Sequence, residues 1–482
     1  MAKETNEGIK IKKEENFSEW YTQIVQKSEL ADYTAVSGCI AYRPDGYAIW
    51  ENIQRIVDKE LKQLGIKNVY FPLLIPENYL KKEAEHVKGF SPEVAWVTET
   101  GNSKLSERLA IRPTSETIMY PSYAKWIRSW RDLPMRYNQW NTVLRWEFKN
   151  PIPFIRGREF LWNEGHTVFA SRKEAEKEMK DIINLWVNFS KEYMALPSLS
   201  GQKSEKEKFA GAEYSWSTEF ILPNGKAVQG PDAHFDGTKF SKAFSIEFLN
   251  KDGKKQNPFQ NTWAISTRQI GVMIAIHGDN NGLVIPPKIA PTQVVIIPIL
   301  FDDSKLKVLK EAQSIKKKLE SRGISVRLDD REEYTPGWKF NEWELKGIPL
   351  RIEIGPKDLQ KKQVITVRRD NNKKEFIKSN TIEKSVVSCL EDIQDSLYKK
   401  ALKQLKSKIV EVKNFKEAQL QLKNKGIIFA PWCASTECEE NFKEKTGGAK
   451  SLNSPFKQPK LNHECFMCGK KAVSWFYFGK SY

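Results

Sequence analysis

The chain has 482 residues, more than a single hydrophobic core normally serves, so two to four domains are expected. Its residues are 40% hydrophobic, 11% aromatic and 29% charged, which is typical of a globular protein and excludes the fibrous and disordered classes. The formal net charge is +17, and residues 398–482 contain 17 lysines against 7 glutamates. This concentration of lysine indicates either a surface that binds a polyanion or a solvated Lys-rich face.

No segment of the sequence resembles a targeting or membrane-spanning element. Residues 1–16 mix Lys and Glu without an apolar core, unlike a secretory signal or a transit peptide. Apolar runs such as 294–300 are too short to cross a bilayer, so we expect a cytoplasmic protein that does not bind membranes. Four of the 6 cysteines cluster near the carboxyl end, and Cys39 and Cys389 are expected to be small core residues rather than disulfide partners.

Three domains are predicted, with bounds at 1–286, 287–397 and 398–482. A Pro-rich connector at 286–291 marks the first boundary. The second domain reads as an α/β unit with a mostly parallel sheet, because strands alternate with helices. From about residue 398 a Lys-rich helix leads into the cysteine region. The strands of the second domain are predicted at 293–300, 325–328, 350–354 and 363–368, and its helices at 304–322 and 338–346.

A predicted antiparallel hairpin carries polar and aromatic residues on one face. Its strands cover residues 142–149 and 160–167, and its loop contains Arg156 and Arg158. An ordinary half-exposed hairpin does not require this composition, whereas a phosphate site does, because guanidinium donors match phosphate oxygens. The residues concerned are Arg145, Glu147, Phe160, Trp162, Glu164 and His166.

A second segment, residues 261–282, passes from a strand into a helix that ends near Gly278. Arg268 lies at the helix entrance, where backbone amides favour anions. His277 falls on the apolar stripe of the helix and is interpreted as a core residue rather than a catalytic one.

These segments resemble the class II aminoacyl-tRNA synthetases. Arg145-Trp-Glu147 resembles their motif 2, the strand into Arg268 resembles motif 3, and the helix at 48–64 followed by 69–72 (VYFP) resembles motif 1 with its dimer-interface proline. Residues 112–116 (RPTSE) and 158–166 (REFLWNEGH) are similar to prolyl-tRNA synthetases, and the aromatic ending resembles the archaeal and eukaryotic type. The resemblance extends over nearly the whole chain.

The resemblance implies an α+β fold: a class II catalytic domain with an antiparallel sheet flanked by helices, an α/β anticodon-binding domain and a small zinc-binding domain. It also implies a homodimeric proline–tRNA ligase that uses ATP and Mg²⁺ to activate L-proline and charges tRNA(Pro). The segment between motifs 2 and 3 is too short to hold an editing insertion as well, so no cis editing is expected.

Carried over position by position, the resemblance assigns two sets of contacts, within which Arg145, Glu147 and Arg268 are expected to be catalytic. Where relatives carry a hydroxyl this chain has Asp232, which is either a second counter-ion for the substrate ammonium or a turn residue before Gly237. The proline contacts are expected to be Thr114, Glu116, Trp162, Glu164, His166, Asp232 and His234. The ATP contacts are expected to be Arg145, Glu147, Arg156, Phe160, Gln229, Ser266 and Arg268.

Further assignments concern the second and third domains. Glu342, Arg351 and Lys357 are either anticodon contacts or surface salt-bridge partners. The pairs Cys433 and Cys438, and Cys465 and Cys468, have the spacing of a structural Cys₄ zinc site, with unbound reduced thiols as the alternative. His463 is close enough to compete as a ligand. The terminal Tyr482 is expected to dock on the catalytic domain, near the active site.

Two rival interpretations remain. A threonyl, glycyl or histidyl synthetase shares the three motifs but would not be expected to combine RPTSE, the four cysteines and the terminal tyrosine. A non-catalytic synthetase paralogue that binds tRNA is the rival of a different class, and the retention of Arg145, Glu147 and Arg268 argues against it.

Overall fold

The computed structural model describes residues 8–86, 93–147 and 150–482, without the side chains of 82–86. Residues 1–7 of the amino end, and residues 148 and 149 of the strand predicted at 142–149, lie outside the described residues. None of the described helices is both long and apolar enough to span a membrane.

The described residues of the first part of the chain, through residue 286, form seven α-helices and fourteen strands. The helices are α1 Phe17–Lys27, α2 Pro44–Gln63, α3 Glu77–His86, α4 Glu116–Trp126, α5 Arg172–Glu192, α6 Lys239–Ala243 and α7 Arg268–His277. The strands are β1 Ala31–Tyr33, β2 Ile40–Tyr42, β3 Lys67–Asn68, β4 Leu74–Pro76, β5 Trp96–Thr100, β6 Ser103–Ile111, β7 Met135–Leu144, β8 Glu159–Phe169, β9 Leu199–Gln202, β10 Tyr214–Ile221, β11 Ala227–Gly237, β12 Phe248–Leu249, β13 Lys255–Gln256 and β14 Phe259–Ser266.

The rest of the chain contains the remaining helices and strands. The helices are α8 Lys305–Glu320, α9 Pro336–Leu345, α10 Pro356–Gln360, α11 Ile382–Lys408, α12 Phe415–Lys423 and α13 Thr436–Lys445. The strands are β15 Val294–Pro298, β16 Val326–Leu328, β17 Leu350–Ile354, β18 Gln363–Arg368, β19 Lys374–Lys378, β20 Ile409–Glu411, β21 Ile427–Trp432, β22 Lys450–Ser451, β23 Ser454–Pro455 and β24 Ser474–Gly479.

An eight-stranded sheet forms the centre of the first part, in the order β23-β9-β10-β11-β14-β8-β7-β3. All its neighbouring strands are antiparallel except β3 and β7, which confirms the predicted antiparallel sheet. Helices α1, α2, α5 and α7 bury their apolar stripes in one core with this sheet, and Trp50 meets Trp140 of β7 edge to face at 5.6 Å. The central sheet is therefore packed against helices, which hold its strands in place.

The predicted hairpin is present, but its first strand is displaced. Strand β7 begins at Met135 and ends at Leu144, so the bounds 142–149 are wrong. The pairing with β8 is antiparallel, with Val143 opposite Phe160, and the Arg145 N–H still donates to the Arg158 carbonyl at 2.7 Å. The sequence pattern missed the first half of the strand because Asn138, Gln139 and Asn141 interrupt its apolar alternation.

The α/β part has a five-stranded sheet in the order β16-β15-β17-β18-β19. The pairs β16–β15 and β15–β17 are parallel, whereas β17–β18 and β18–β19 are antiparallel, so the expectation of a mostly parallel sheet is wrong. The reason lies in the connections: a parallel pair needs a long crossover, but only the turn 369–373 joins β18 to β19. Strand β19 was not predicted.

Helix α11 begins at Ile382, earlier than the start near 398 expected from the sequence. It buries Val386, Leu390, Ile393 and Leu397, all before residue 398, which therefore lies in the helix interior. The Lys-rich composition that marked the change belongs to the second half of the same helix. The three domain bounds stay predictions.

A partly buried ion pair joins the first part of the chain to the α/β part. Arg369 donates to both carboxylate oxygens of Asp279 at 2.8 and 2.6 Å, and its Nε donates to the Glu344 carbonyl at 2.9 Å. Asp279 directly follows Gly278, which is the C-cap of α7 as predicted. The pair therefore fixes the α/β part against the end of the helix that begins at Arg268.

Replacing Arg369 with Met should lower the free energy of unfolding by roughly 1–3 kcal/mol, because Asp279 would lose its bidentate partner in a partly buried site. Urea denaturation followed by tryptophan fluorescence measures this change. Lys374→Met, at an exposed position of β19, is the control and should change it by less than about 0.5 kcal/mol. Equal stability of both variants would contradict the assigned role.

Candidate active site

One cavity of about 450 Å³ opens above the central sheet. Strands β8, β10, β11 and β14, the turn before α4 and the segment after β9 contribute its walls. Its lining includes every predicted substrate residue except Arg156: Thr114, Glu116, Arg145, Glu147, Phe160, Trp162, Glu164, His166, Gln229, Asp232, His234, Ser266 and Arg268.

Two guanidinium groups converge on this cavity from distant parts of the chain. The Arg145 Nε donates to the Pro113 carbonyl at 2.9 Å, and its guanidinium lies 5.1 Å from the Trp162 ring centroid. Arg268 donates to the carbonyls of Ile155 and Gln229 at 3.0 and 3.1 Å. Burial and then the nearby charge of Arg145 lower the pKa of Arg268. Two cations placed side by side create a strong preference for a polyanionic ligand.

A buried carboxylate, Glu164, organises another part of the cavity wall. It accepts hydrogen bonds from the Ser115 N–H at 3.0 Å, from the side chains of Gln139 and Asn141 at 2.9 and 2.7 Å, and from the Ser115 hydroxyl. The His166 Nε2 lies 3.0 Å from Oε2, the oxygen that also accepts from the Ser115 N–H. Burial opposes ionisation, but these donors, His166 foremost, lower the pKa of Glu164 to about 2.

His166 is held at both ring nitrogens, by Glu164 and by the Tyr120 hydroxyl at 3.1 Å from Nδ1. Although burial by itself favours the neutral ring, the bond to Glu164 and the charge of Glu116 raise the pKa of His166. Thr114 donates its hydroxyl to the Glu116 carboxylate. This part of the cavity therefore presents carboxylates and hydrogen-bonded aromatic side chains to a small cation.

Asp232 lies inside strand β11, opposite Ala264 of β14, and lines the cavity. The interpretation as a turn residue is therefore wrong, because the strand continues to Gly237. Its carboxylate accepts from Gln229 at 2.8 Å and lies 3.5 Å from the His234 ring. Burial opposes its ionisation, but the contacts with His234 and Gln229 outweigh that effect and lower its pKa.

Arg156 does not line the main cavity. It lines a smaller neighbouring cavity that also contacts Phe160, in the loop where its N–H donates to the Ile152 carbonyl at 2.8 Å. That loop closes on itself between β7 and β8, which a linear motif does not reveal. His277 is buried and its ring contacts the Met194 carbonyl at 3.0 Å, as expected for a core residue, and burial lowers its pKa to about 4.

Sequence reasoning missed part of the cavity wall. Residues 203–210, defined here as the rim segment, contribute five lining residues, and Ser215, Trp216 and Ser217 of β10 contribute three more. The charged run KSEKEK reads as a solvated loop, so its pattern gave no signal. The rim-segment residues are Lys203, Glu207, Lys208, Phe209 and Ala210.

The three residues named for the anticodon are not equally accessible. Glu342 pairs with Arg331 and Lys346, and two nitrogens of Arg351 contact one carboxylate oxygen of Glu353 at 3.0 and 2.9 Å. Lys357 is exposed in α10. The first two therefore make salt bridges within the chain, whereas the alternative left open from the sequence was a salt bridge at the surface.

The four clustered cysteines meet in space. Their sulfur atoms all lie within 4.8 Å of one another, with 3.7 Å between Cys433 and Cys468 and 3.8 Å between Cys438 and Cys465. A tetrahedral zinc ion with bonds of 2.3 Å separates its sulfur ligands by roughly 3.8 Å, so the geometry fits. His463 is not in the cluster; its ring packs against Trp475 at 5.3 Å.

The carboxyl terminus docks on the first part of the chain, as predicted. The Tyr482 N–H donates to the Ala227 carbonyl at 3.1 Å, and its hydroxyl accepts from Asn224 at 2.8 Å. Its ring lines a small cavity with Ile155, whose carbonyl holds Arg268. The tail therefore lies beside a loop that shapes the main cavity.

Comparison with known proteins agrees with this geometry. Residues 96–277 match the tRNA synthetase class II core domain (G, H, P, S and T), residues 293–388 the anticodon binding domain, and residues 415–482 the prolyl-tRNA synthetase C-terminal domain. The chain is 48% identical to the cytoplasmic proline–tRNA ligase of Arabidopsis thaliana over 490 residues, covering 100% of this chain and 92% of that protein. The chain belongs to the prolyl-tRNA synthetases.

Other members of the family are similar to a comparable degree. A proline–tRNA ligase 2 of Bacillus cereus is 48% identical over 483 residues, with 100% of both chains covered. A crystal structure of prolyl-tRNA synthetase from Cryptosporidium parvum, complexed with halofuginone and AMPPNP, superposes with a TM-score of 0.95 at 45% identity, covering 98% of this chain and 99% of that one. The predicted family, enzyme class and class II core are therefore confirmed.

Replacing Glu164 with Gln should lower the free energy of unfolding by roughly 1–3 kcal/mol at pH 7, because several buried donors lose a charged acceptor. The folded-state pKa is about 2 and the ordinary value is 4.5, so the carboxylate's contribution is complete above pH 4.5 and is lost as the pH falls towards 2. The difference between wild type and variant should shrink over that window.

Urea denaturation at several pH values measures this effect, and Glu391→Gln, at an exposed position of α11, is the matched control. A difference that is constant from pH 7 to pH 3 would show that the Glu164 charge does not stabilise the fold.

Proposed function

We propose that this prolyl-tRNA synthetase binds ATP and L-proline in the described cavity, forms prolyl-adenylate with release of pyrophosphate, and transfers the prolyl group to the 3′ end of tRNA(Pro) with release of AMP. The observation that carries the proposal is that two guanidinium groups and several carboxylates line one cavity. The charge of Arg145 acts on Arg268, and Glu116 and Asp232 line the same space. An amino acid beside a polyphosphate has the complementary arrangement.

In the first step a carboxylate oxygen of proline attacks the α-phosphorus of ATP. The bond from that phosphorus to the bridging oxygen breaks, and pyrophosphate leaves with the electron pair. Arg145 and Arg268 would offset the negative charge that accumulates as the two anions approach, and Glu147 at the cavity edge would help to position the nucleotide. Mg²⁺ supplies further charge neutralisation on the phosphates when bound.

The same cavity supplies contacts for each part of the substrates. Phe160 and Arg268 would lie on the two faces of the adenine, with Gln229, Ser266 and Arg156 completing the nucleotide site. Thr114 and Glu116 would bind the secondary ammonium of proline, with Asp232 as a second counter-ion and His234 beside it. Trp162 and His166 would enclose the pyrrolidine ring. Glu164 would act on this pocket through His166, which it holds in place.

Pyrophosphate exchange, measured with each of the twenty amino acids, tests the proposal: exchange should depend on proline. Arg268→Lys should lower kcat/KM by roughly 100-fold or more, because a lysine cannot keep the fork of donors directed at the nucleotide. Arg55→Lys, an exposed change on α2, should leave it unaltered. Exchange with another amino acid and none with proline would contradict the assignment.

The same assay distinguishes the proposed enzyme from a non-catalytic paralogue that binds tRNA. Such a protein would bind tRNA(Pro) without any amino-acid-dependent exchange. The presence of Arg145, Glu147 and Arg268 in one cavity favours the active enzyme.

We also propose that the chain carries no cis editing unit between motifs 2 and 3. Helix α5 and strands β9, β10 and β11 occupy much of that segment, and all three strands belong to the central sheet. Pocket size alone separates proline from smaller analogues by only about 1–3 kcal/mol, so mischarged products would need removal elsewhere.

The α/β part would read the anticodon of tRNA(Pro), in keeping with its match to the anticodon binding domain. Lys357 is exposed and available to a phosphate or base, whereas Glu342 and Arg351 would first have to exchange their internal partners. Arg331, which pairs with Glu342, also lies 4.9 Å from the Tyr334 ring. An aromatic face beside switchable ion pairs suits an unstacked base.

A homodimer and a cytoplasmic location complete the proposal. Tyr70, Leu73 and Leu74, around the predicted interface Pro72, are exposed apolar side chains whose exposure a second subunit would remove. The name of the Arabidopsis thaliana relative supports the location.

We propose that Cys433, Cys438, Cys465 and Cys468 hold one structural zinc ion. The sulfur separations support this, and so does the environment of Cys465, where the Cys438 thiol and nearby backbone N–H groups outweigh burial and lower the pKa. Four protein ligands leave no open position, so zinc would stabilise the carboxyl-terminal unit and take no part in the reaction.

Metal analysis of the purified protein should find about one zinc ion per chain, and Cys465→Ser should lose it together with the stability of the carboxyl-terminal unit. Cys389→Ser, outside the cluster, is the control and should retain the metal. A folded, active protein without zinc would contradict the proposal.

A further inference from the structure

The carboxyl-terminal unit completes the edge of the sheet that carries the cavity. Its strand β23 pairs with β9, with Ser454 opposite Gln202 and Pro455 opposite Gly201. Asn453 donates to the carbonyls of Leu199 and Ser217 at 2.9 and 3.3 Å. Strand β9 leads directly into the rim segment, residues 203–210, so this contact lies at the base of one cavity wall.

A buried carboxylate of the same unit reaches the rim segment itself. Glu439 on α13 is 1% exposed and accepts from the Ser204 hydroxyl at 2.9 Å and from the Ser451 hydroxyl. The Ser204 oxygen in turn accepts from the Glu207 N–H at 3.2 Å, which closes the first turn of the rim segment. Glu439 thus fixes the hydroxyl that caps this turn.

A second link is an ion pair between Lys450 of β22 and Glu207, whose side chain is 15% exposed and lines the cavity. Both links come from outside the central sheet, and both end on the rim segment. Neither Glu439 nor Lys450 lines the cavity itself.

The rim segment is connected to the expected proline contacts. The Phe209 N–H donates to the Ser215 hydroxyl at 3.0 Å, and that hydroxyl lies 2.8 Å from the His234 Nδ1. The Phe209 ring is 5.0 Å from the His234 ring. His234 in turn contacts Asp232. A shift of the rim segment would therefore move the groups expected to surround the amino acid.

We propose that Glu439 and Lys450 are positioning residues for amino-acid binding, through which the carboxyl-terminal unit holds the rim segment against the cavity. The inference rests on the proposed function, since it assigns the affected wall to proline. The guanidinium groups expected to bind ATP are held by carbonyls of Pro113, Ile155 and Gln229, all outside the rim segment. The effect should therefore fall on proline rather than on ATP.

Proline-dependent pyrophosphate exchange with the full-length protein tests this without tRNA. Lys450→Met and Glu439→Gln should each raise KM for proline roughly tenfold, the size expected for losing one charge-assisted hydrogen bond. KM for ATP and kcat should stay within about twofold. Lys450→Arg, which keeps the charge, should restore the wild-type KM for proline, and the exposed Glu444→Gln on α13 is the matched control.

Hydrogen exchange provides a second measurement, because amides of residues 204–210 should exchange faster in the two variants than in Glu444→Gln. Zinc content and the unfolding midpoint are measured alongside. Glu439 adjoins Cys438, so Glu439→Gln could also lose zinc. If it does, Lys450→Met is the variant that tests the inference, because Lys450 lies outside the cysteine cluster.

Unchanged KM for proline in Lys450→Met would overturn the inference, and so would a parallel rise in KM for proline and ATP. Either result leaves the proposed function intact, provided that the wild-type protein exchanges pyrophosphate in the presence of proline. Absence of exchange in the wild type would instead remove the proposed function and the inference together.

Discussion

The register in which β8 lies between β7 and β14 fixes the positions of the groups on which the cavity depends. Glu164 of β8 is opposite Gln139 of β7 and Ala264 of β14. Side chains alternate along a strand, so a slip of one residue would turn Glu164 and His166 away from the cavity. The donors that hold Glu164 come from β7 and from the turn before α4, and they are in place in this register.

The charged groups of the cavity differ in how they are held. Arg145 and Arg268 donate to main-chain carbonyls, which orient the guanidinium groups without neutralising them. Glu164, by contrast, is saturated by neutral donors and by His166. The two guanidinium groups therefore still attract an anion, whereas the hydrogen bonds of Glu164 already hold the cavity wall. This division explains why Glu164 is expected to position the pocket rather than to contact phosphate.

The carboxyl-terminal part is integrated with the central sheet rather than appended to it. One short strand, one buried glutamate and one lysine from this part meet β9 and the rim segment. At the end of the chain, Tyr482 donates its N–H to Ala227, the first residue of β11. Contacts at two places on one sheet resist rotation of the unit relative to that sheet.

The sequence by itself determined the family, the antiparallel sheet, the cysteine cluster and 13 of the 28 residues that line the cavity. Local motifs such as RPTSE and the strand into Arg268 carry this information, because each places a reactive group at a defined point of one element. The tertiary structure decided that Asp232 lies in a strand, that Arg156 lies outside the main cavity, and that β18 is antiparallel to both β17 and β19. It also brought in residues 203–210, whose charged sequence resembles a solvated loop. These features depend on pairing and packing between segments far apart in the chain, which local periodicity does not encode.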